Sequence, residues 1–203
     1  MSNIEGRAKM QGEKAAQLDV GTQFAIVQCM PNIVNGAFWG FCDAAEAMKY
    51  KDGLKSNSNV SVKKISGGCL VEVNPEYLIQ QMVKIDPTLV DQKDMQNIKE
   101  GIAKAVSQLD KYLARKAKDS TFKQTLLGIY CINDTPTISY KGERYPAFRV
   151  ELSTALKLLG KYGYKVKVGG NYVPAGSISS VKELCSSMQV SPTNTGVFIN
   201  VSK

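Results

Sequence analysis

The sequence predicts an α+β fold, a mixed or antiparallel sheet with hairpins and several packed helices, including one long amphipathic helix. Three observations carry that expectation. Apolar residues recur at helical spacing over residues 91–120. Strand-like segments flank glycine turns at Ser66-Gly67-Gly68 and at Lys141-Gly142. Hairpins and helices interleave without the regular strand–helix alternation that builds a doubly wound parallel sheet. With 203 residues and 43% hydrophobic content the chain can bury a substantial core. Composition divides it into an N-terminal arm at 1–20, an α+β core at 21–134 and a basic α+β subdomain at 135–203, with one continuous domain as the alternative.

Residues 1–20 are polar and lack a sustained period. TQFAIVQC, beginning at Thr22, reads as a strand that stops near Pro31. Asn35 then offers a cap to a helix over NGAFWGFCDAAEAMKY, with Phe38, Phe41, Cys42 and Ala45 at helical spacing and Trp39, the single tryptophan, beside them in the core. KDGLKSNSN reads as a polar loop, and VSVKKI and CLVEV as a hairpin in which Val60 and Val62 alternate with polar neighbours. Asn74-Pro75-Glu76 opens the next helix with a cap, a proline whose missing N–H costs nothing there, and an acid at the positive end. Its buried stripe is Leu78, Ile79, Met82 and Val83.

The long helix places Ile98, Ile102, Ala105, Val106, Leu109, Tyr112 and Leu113 on one face. Asp91 and Asp94 lie at its start and Arg115, Lys116 and Lys118 at its end, the order the helix dipole favours. Residues 126–132 read as a buried strand, and Asp134-Thr135-Pro136 breaks the chain. TISYKGERYPA then forms a hairpin. AFRVELSTALKLLGKYG forms a helix with Leu152, Ala155, Leu156 and Leu159 inward, and with Arg149, Lys157 and Lys161 on one broad side. GYKVKVGGNY is a strand running into a glycine turn. Ser180-x-x-Glu183 is a capping box that starts a short helix, and GVFINVS is the final strand.

Several chemistries are excluded or weakened. The chain has no histidine, which removes Ser-His and Cys-His nucleophile pairs and the commonest metal ligand. It has no C-x-x-C for a zinc site. No metal site, no cofactor and no catalytic residue is expected. The five cysteines are widely spaced and apolar in setting, as reduced core thiols are in a cytoplasmic or cytosol-derived compartment. No apolar segment follows a basic start, and no apolar run approaches the roughly 20 residues of a membrane span. A chain neither secreted nor membrane-bound is therefore expected.

Ser179-x-x-Lys182 has a spacing in which lysine can activate serine, but the same spacing recurs at Ser61-Lys64 and Ser120-Lys123. VGGNYVPAGSIS resembles a phosphate loop in outline and lacks its G-K-[ST] ending, so a structural turn is the better reading. The acid pairs Asp43 with Glu46 and Asp91 with Asp94 sit where helix starts account for them.

Charge is the strongest functional signal. Residues 1–100 hold 11 Lys and Arg against 12 Asp and Glu, whereas residues 101–203 hold 15 against 6. Lys141, Arg144, Arg149, Lys157, Lys161, Lys165 and Lys167 crowd into residues 138–172 with Tyr140, Tyr145, Tyr162, Tyr164 and Tyr172. Lysines that neutralise phosphates beside tyrosines that stack on bases are the means of holding single strands. Strand alternation places Lys165 and Lys167 opposite Tyr164, Val166 and Val168, so Tyr164 is expected in the core. The candidate nucleic-acid-binding set is Lys141, Arg144, Arg149, Lys161, Lys165 and Lys167, with Tyr140 and Tyr145 as stacking partners.

The expected function is a non-catalytic binding or assembly protein that docks on a polyanion, foremost the nucleic acid backbone, through its basic C-terminal half. The partner is nucleic acid or another acidic surface, and no membrane. Two other classes stand beside it. One is a structural subunit of a larger homo- or hetero-oligomer of virion or scaffold type, and the other is a histidine-free enzyme acting on a phosphorylated substrate.

Overall fold

The computed structural model describes residues 18–33, 36–88, 90–178, 181–193 and 195–203. Most of the expected N-terminal arm lies outside them, as do Asn35 and the Ser179 and Ser180 of the serine motifs. The fold is α+β, with antiparallel sheets and one helix of 26 residues. The chain forms two compact units, residues 1–64 with 68–101 and residues 65–67 with 102–203. No helix among the described residues is long and apolar enough to cross a membrane.

TQFAIVQC is not a strand but part of helix α1, Val20–Ile33. Asp19 starts it: the backbone N–H of Thr22 donates to Asp19 Oδ1 at 3.0 Å, and that of Gln23 to the Asp19 carbonyl at 3.0 Å. Phe24, Ala25, Cys29 and Ile33 are all at most 2% exposed, so a largely buried helix face mimics the continuous apolar run of a buried strand. The helix expected next is also displaced. Its first part is strand β1, Trp39–Cys42, paired antiparallel with strand β3, Gly68–Val73, in the register Trp39 to Glu72 and Cys42 to Cys69. Helix α2, Ala44–Lys49, starts only at Asp43, whose carboxylate accepts the Glu46 N–H at 2.6 Å. The presumed loop contains helix α3, Lys51–Ser56.

Strands β2, Val60–Ile65, and β3, Gly68–Val73, form the expected hairpin, giving a sheet of order β1-β3-β2. Asn74 caps helix α4, Pro75–Ile85, by accepting the Tyr77 N–H, and Leu78 and Met82 are fully buried while Val83 is exposed. Helix α5, Gln92–Ala117, spans the expected seven turns, and Asp91 caps it through the Asp94 N–H at 2.7 Å.

In the second unit strands β4, Gln124–Ile129, β7, Lys165–Val168, β8, Asn171–Pro174, β9, Gln189–Val190, and β10, Val197–Ser202, form one sheet. Its order is β4-β10-β7-β8, with β9 on the same edge of β10 as β7. Leu127, Ile129, Val166, Val197, Ile199 and Val201 point to one face and are at most 2% exposed. Helix α5 lies on that inner side, where the buried Tyr164 hydroxyl donates to the Leu113 carbonyl at 2.9 Å.

Strands β5, Thr137–Tyr140, and β6, Glu143–Pro146, form a ribbon closed by Lys141 and Gly142, with φ of 50° and 82°. Two consecutive positive φ angles are what a two-residue turn of this hand requires, and glycine makes the second one cheap. The ribbon approaches β4 closely at Gly128, where a Cβ would lie 3.1 Å from both Ile138 Cδ1 and the Pro146 carbonyl.

Helix α6, Leu152–Lys161, starts five residues later than expected. The residues before it run along the free edge of β4: the Phe148 N–H donates to the Gly128 carbonyl at 3.0 Å, and the Tyr130 N–H to the Val150 carbonyl at 3.0 Å. An edge strand with buried N–H and C=O groups demands such partners, and this outweighs the helical pattern of the local sequence. Helix α7, Val181–Ser187, and the final strand follow as expected.

Asp19 anchors the first unit through four hydrogen bonds, to the Thr22 backbone and hydroxyl, to Asn57 and to Tyr77. Burial alone would raise its pKa, but these donors outweigh it and hold the carboxyl below its ordinary value. The stability it contributes is therefore fully present above the unfolded value of about 3.9 and lost as pH falls through the lower folded value. Asp19→Ala is expected to cost about 1–2 kcal/mol at pH 7. Urea unfolding followed by the fluorescence of buried Trp39 should show that difference shrink at pH 3, and a difference equal at both pH values would disprove the account.

Candidate nucleic-acid interface

The register of β10 decides which side chains share a surface. Ser202 pairs with Gln124 on one side and with Lys165 on the other, Asn200 pairs with Leu126, and Phe198 with Gly128. Lys167 pairs with Tyr172, and Lys165 with Pro174. All of these alternate with the buried residues and therefore occupy the outer face of the sheet. Tyr164 and Val166 are buried behind it, as the alternation predicts. The glycine pair forms the two-residue turn between β7 and β8, because Val168 and Asn171 are paired across it.

The β5–β6 ribbon covers one end of this face. Its Ile138 side carries Tyr140 and Tyr145, whose rings pack against Phe198 with centroids 5.1 and 5.7 Å away. The Tyr145 hydroxyl donates to Glu143 Oε2 at 2.5 Å, a bond that raises the tyrosine pKa. Both rings are half-buried, so each already has an aromatic partner. Gln124, Leu126, Asn200, Ser202, Lys165, Lys167, Tyr172 and Pro174 occupy the rest of the face, all of them exposed or half-exposed.

That open area has three properties. Its strand residues include no carboxylate. Lys165 and Lys167 make no ion pair among the described residues, and two strand steps set them about 6.6 Å apart. Tyr172, on the edge strand β8, reaches across the sheet to donate its hydroxyl to Gln124 Oε1 on β4 at 3.1 Å. Such a reach holds the side chain along the face.

The remaining members of the expected set are dispersed. Lys141 sits at the exposed tip of the ribbon, its Nζ 5.3 Å from the Tyr140 ring centroid. Arg144 lies on the other side of the ribbon, its Nε donating to Thr137 Oγ1 at 3.1 Å. Lys161 belongs to the helical side of the unit, where its Nζ donates to Asp110 Oδ1 at 2.8 Å. The hydrogen bond raises the Lys161 pKa and lowers that of Asp110, as an ion pair should. Arg149 is not on a helix with Lys157 and Lys161. Its side chain is 8% exposed, with Nη2 3.9 Å from Asp134 Oδ1 and Nε buried without a hydrogen-bond partner.

No family model, no curated protein and no solved structure matches this chain.

Other candidate chemistry finds structural employment. Asp43 and Asp91 cap helices, and Glu46 accepts a hydrogen bond from Gln28 at 3.1 Å. Burial pushes the Cys42 and Cys131 thiols up to about 12, so neither supplies a thiolate at neutral pH. Gln124, Asn200 and Ser202 were missed as candidates, because nothing in their local sequence distinguishes them; only strand pairing brings them to the lysines.

Because Arg149 holds an unsatisfied buried donor, Arg149→Met is expected to keep stability within about 1 kcal/mol of the parent or to raise it. Thermal and urea unfolding measure this. A loss above about 3 kcal/mol would show that the contact with Asp134 is a strong buried ion pair after all.

Proposed function

We propose that this protein binds a polyanion, single-stranded nucleic acid foremost, on the outer face of its second-unit sheet, largely through the phosphate backbone. The observation that carries the reading is the conjunction on one open face of Lys165 and Lys167, both without ion pairs among the described residues, with the Tyr172 side chain held along the sheet. The lysines displace counterions from the phosphates, and Tyr172 offers a ring on which a base of any identity can stack. Asn200, Ser202 and Gln124 add neutral hydrogen-bonding groups that favour no charge. Lys141, at the ribbon tip, adds a third cation beside the face. Arg149 and Lys161 contribute nothing to this surface, since one is buried and the other is paired with Asp110.

Three phosphate contacts imply a logarithmic salt slope of about −2 on a single strand, or nearly 20-fold weaker binding between 50 and 200 mM salt. Lys165→Glu with Lys167→Glu should reduce that slope by about 1.4 and Lys161→Glu should leave it unchanged. Tyr172→Ala should cost about 1–3 kcal/mol of affinity for single strands. Fluorescence anisotropy with an unstructured oligonucleotide across a salt series reads all three effects. Binding that is absent, or indifferent to salt and to the Lys165 and Lys167 changes, overturns the reading.

A second reading, a subunit of a larger assembly, is supported by β8, whose outer edge pairs with no strand among the described residues. A second copy could add a strand there. Sedimentation at high protein concentration tests it, and a strictly monomeric mass rejects it.

A further inference from the structure

The second unit also contains a cleft of about 730 Å3 that shares no side chain with the outer face. Lys111, Tyr112 and Arg115 of α5 form one wall, and Asp134, Thr137 and Phe148 stand on the other. Lys111 and Arg115 lie four residues apart, so one flank of the helix presents both cations beside Tyr112. The Tyr112 and Phe148 rings, 5.3 Å apart between centroids, line an aromatic surface, and the Arg115 guanidinium lies 6.0 Å from the Tyr112 ring.

The charge balance of the cleft is positive. Asp134 is already shared by Lys104, at 3.3 Å, and by the buried Arg149, at 3.9 Å. Lys111 and Arg115 have no ion pair among the described residues, and the buried Arg149 adds a further positive charge next to Asp134. An apolar ligand would leave these cations unanswered, and a bare inorganic anion would leave the aromatic wall and most of the volume unused.

We propose that this cleft binds a nucleoside phosphate. The base lies against Tyr112 and Phe148, and the phosphate reaches Lys111 and Arg115, whose flexible charged ends suit it. Asp134 and Thr137 face the base edge or the sugar with an acceptor and a hydroxyl. The inference stands apart from the outer-face reading, because the two sites have no residue in common.

Isothermal titration of the full chain with adenosine monophosphate, adenosine and inorganic phosphate tests it. Saturable binding of the nucleotide is expected, at least about 10-fold tighter than either fragment, since adenosine meets only the aromatic rings and phosphate only the two cations. Lys111→Glu with Arg115→Glu should weaken nucleotide binding at least about 10-fold, and both positions are exposed, so the fold should persist by circular dichroism. The milder pair Lys111→Gln and Arg115→Gln should weaken it in the same direction. Lys165→Glu with Lys167→Glu should leave nucleotide binding unchanged, so loss of one site is distinguishable from loss of the other. No saturable nucleotide binding up to about 5 mM, binding indifferent to the Lys111 and Arg115 changes, or phosphate binding as tight as the nucleotide each overturns the proposal.

Discussion

The second unit depends on strand β10. All six of its residues pair with β4 on one edge, while on the other edge Val197 and Phe198 pair with β9 and Val201 and Ser202 with β7. Val197, Ile199 and Val201 are at most 1–2% exposed on the inner side, so the burial of these three residues locks the parity of every neighbouring strand. A slip of one residue would drive Ser202 and Asn200 into the core and put valine and isoleucine into water. The same parity puts Lys165 and Lys167 on the outside. The display of the lysines is thus a consequence of how the core is packed, and it is protected by the stability of that core.

The outer face is itself divided by a packing constraint. Phe198 belongs to the outer set by alternation, yet it is 1% exposed because the β5–β6 ribbon covers it with Tyr140 and Tyr145. Gly128 permits that approach by having no side chain under Ile138 and Pro146. The ribbon therefore converts part of a two-sided sheet into a second small core of Cys131, Ile138, Ala147 and Phe198. The two tyrosines that looked best placed for bases serve this core, and Tyr172, on the far edge strand, is left along the open part. Burial of aromatic area in the ribbon core is a strong claim on those rings, whereas a solvent-facing strand makes no such claim on Tyr172.

Basic residues that are alike in sequence meet three different fates for electrostatic reasons. Lys161 finds Asp110, 51 positions away, and the pair lowers the carboxyl pKa and raises that of the amine. Arg149 is drawn under the edge of β4 with its backbone and reaches only a long contact with Asp134. Lys165, exposed, and Lys167, half-exposed, sit on a strand face with no acid on it and have no ion pair among the described residues. The basic cleft on α5 has the same origin. Arg115 has a sufficient local explanation in the last turn of its helix and Lys111 in its exposed position on the same flank, and only the arrival of Phe148 opposite Tyr112 makes that flank one wall of a concave site.

What could be read directly from the sequence is what neighbouring residues settle among themselves. The seven-turn period of α5, the Asn74-Pro75 start of α4, the Lys141-Gly142 and Gly169-Gly170 turns and the alternation in β7 all follow from local sterics, capping and side-chain period. TQFAIVQC misled because apolar Val27 stands on the exposed side of the helix and blurs its amphipathic period, and its decisive signal, Asp19, closes a network with Asn57 and Tyr77 that no local window contains. Arg149 misled because the bare edge of β4 recruits residues that otherwise read as helix. Which lysines are free, which tyrosine lies along the open face and which aromatic rings form a cleft are decided by strand register and by partners tens of residues distant. By itself the sequence determined the α+β class, most of the element types and the presence of an unbalanced basic half; only the tertiary structure decided where those charges stand, because pairing and burial depend on contacts that chain order does not encode locally.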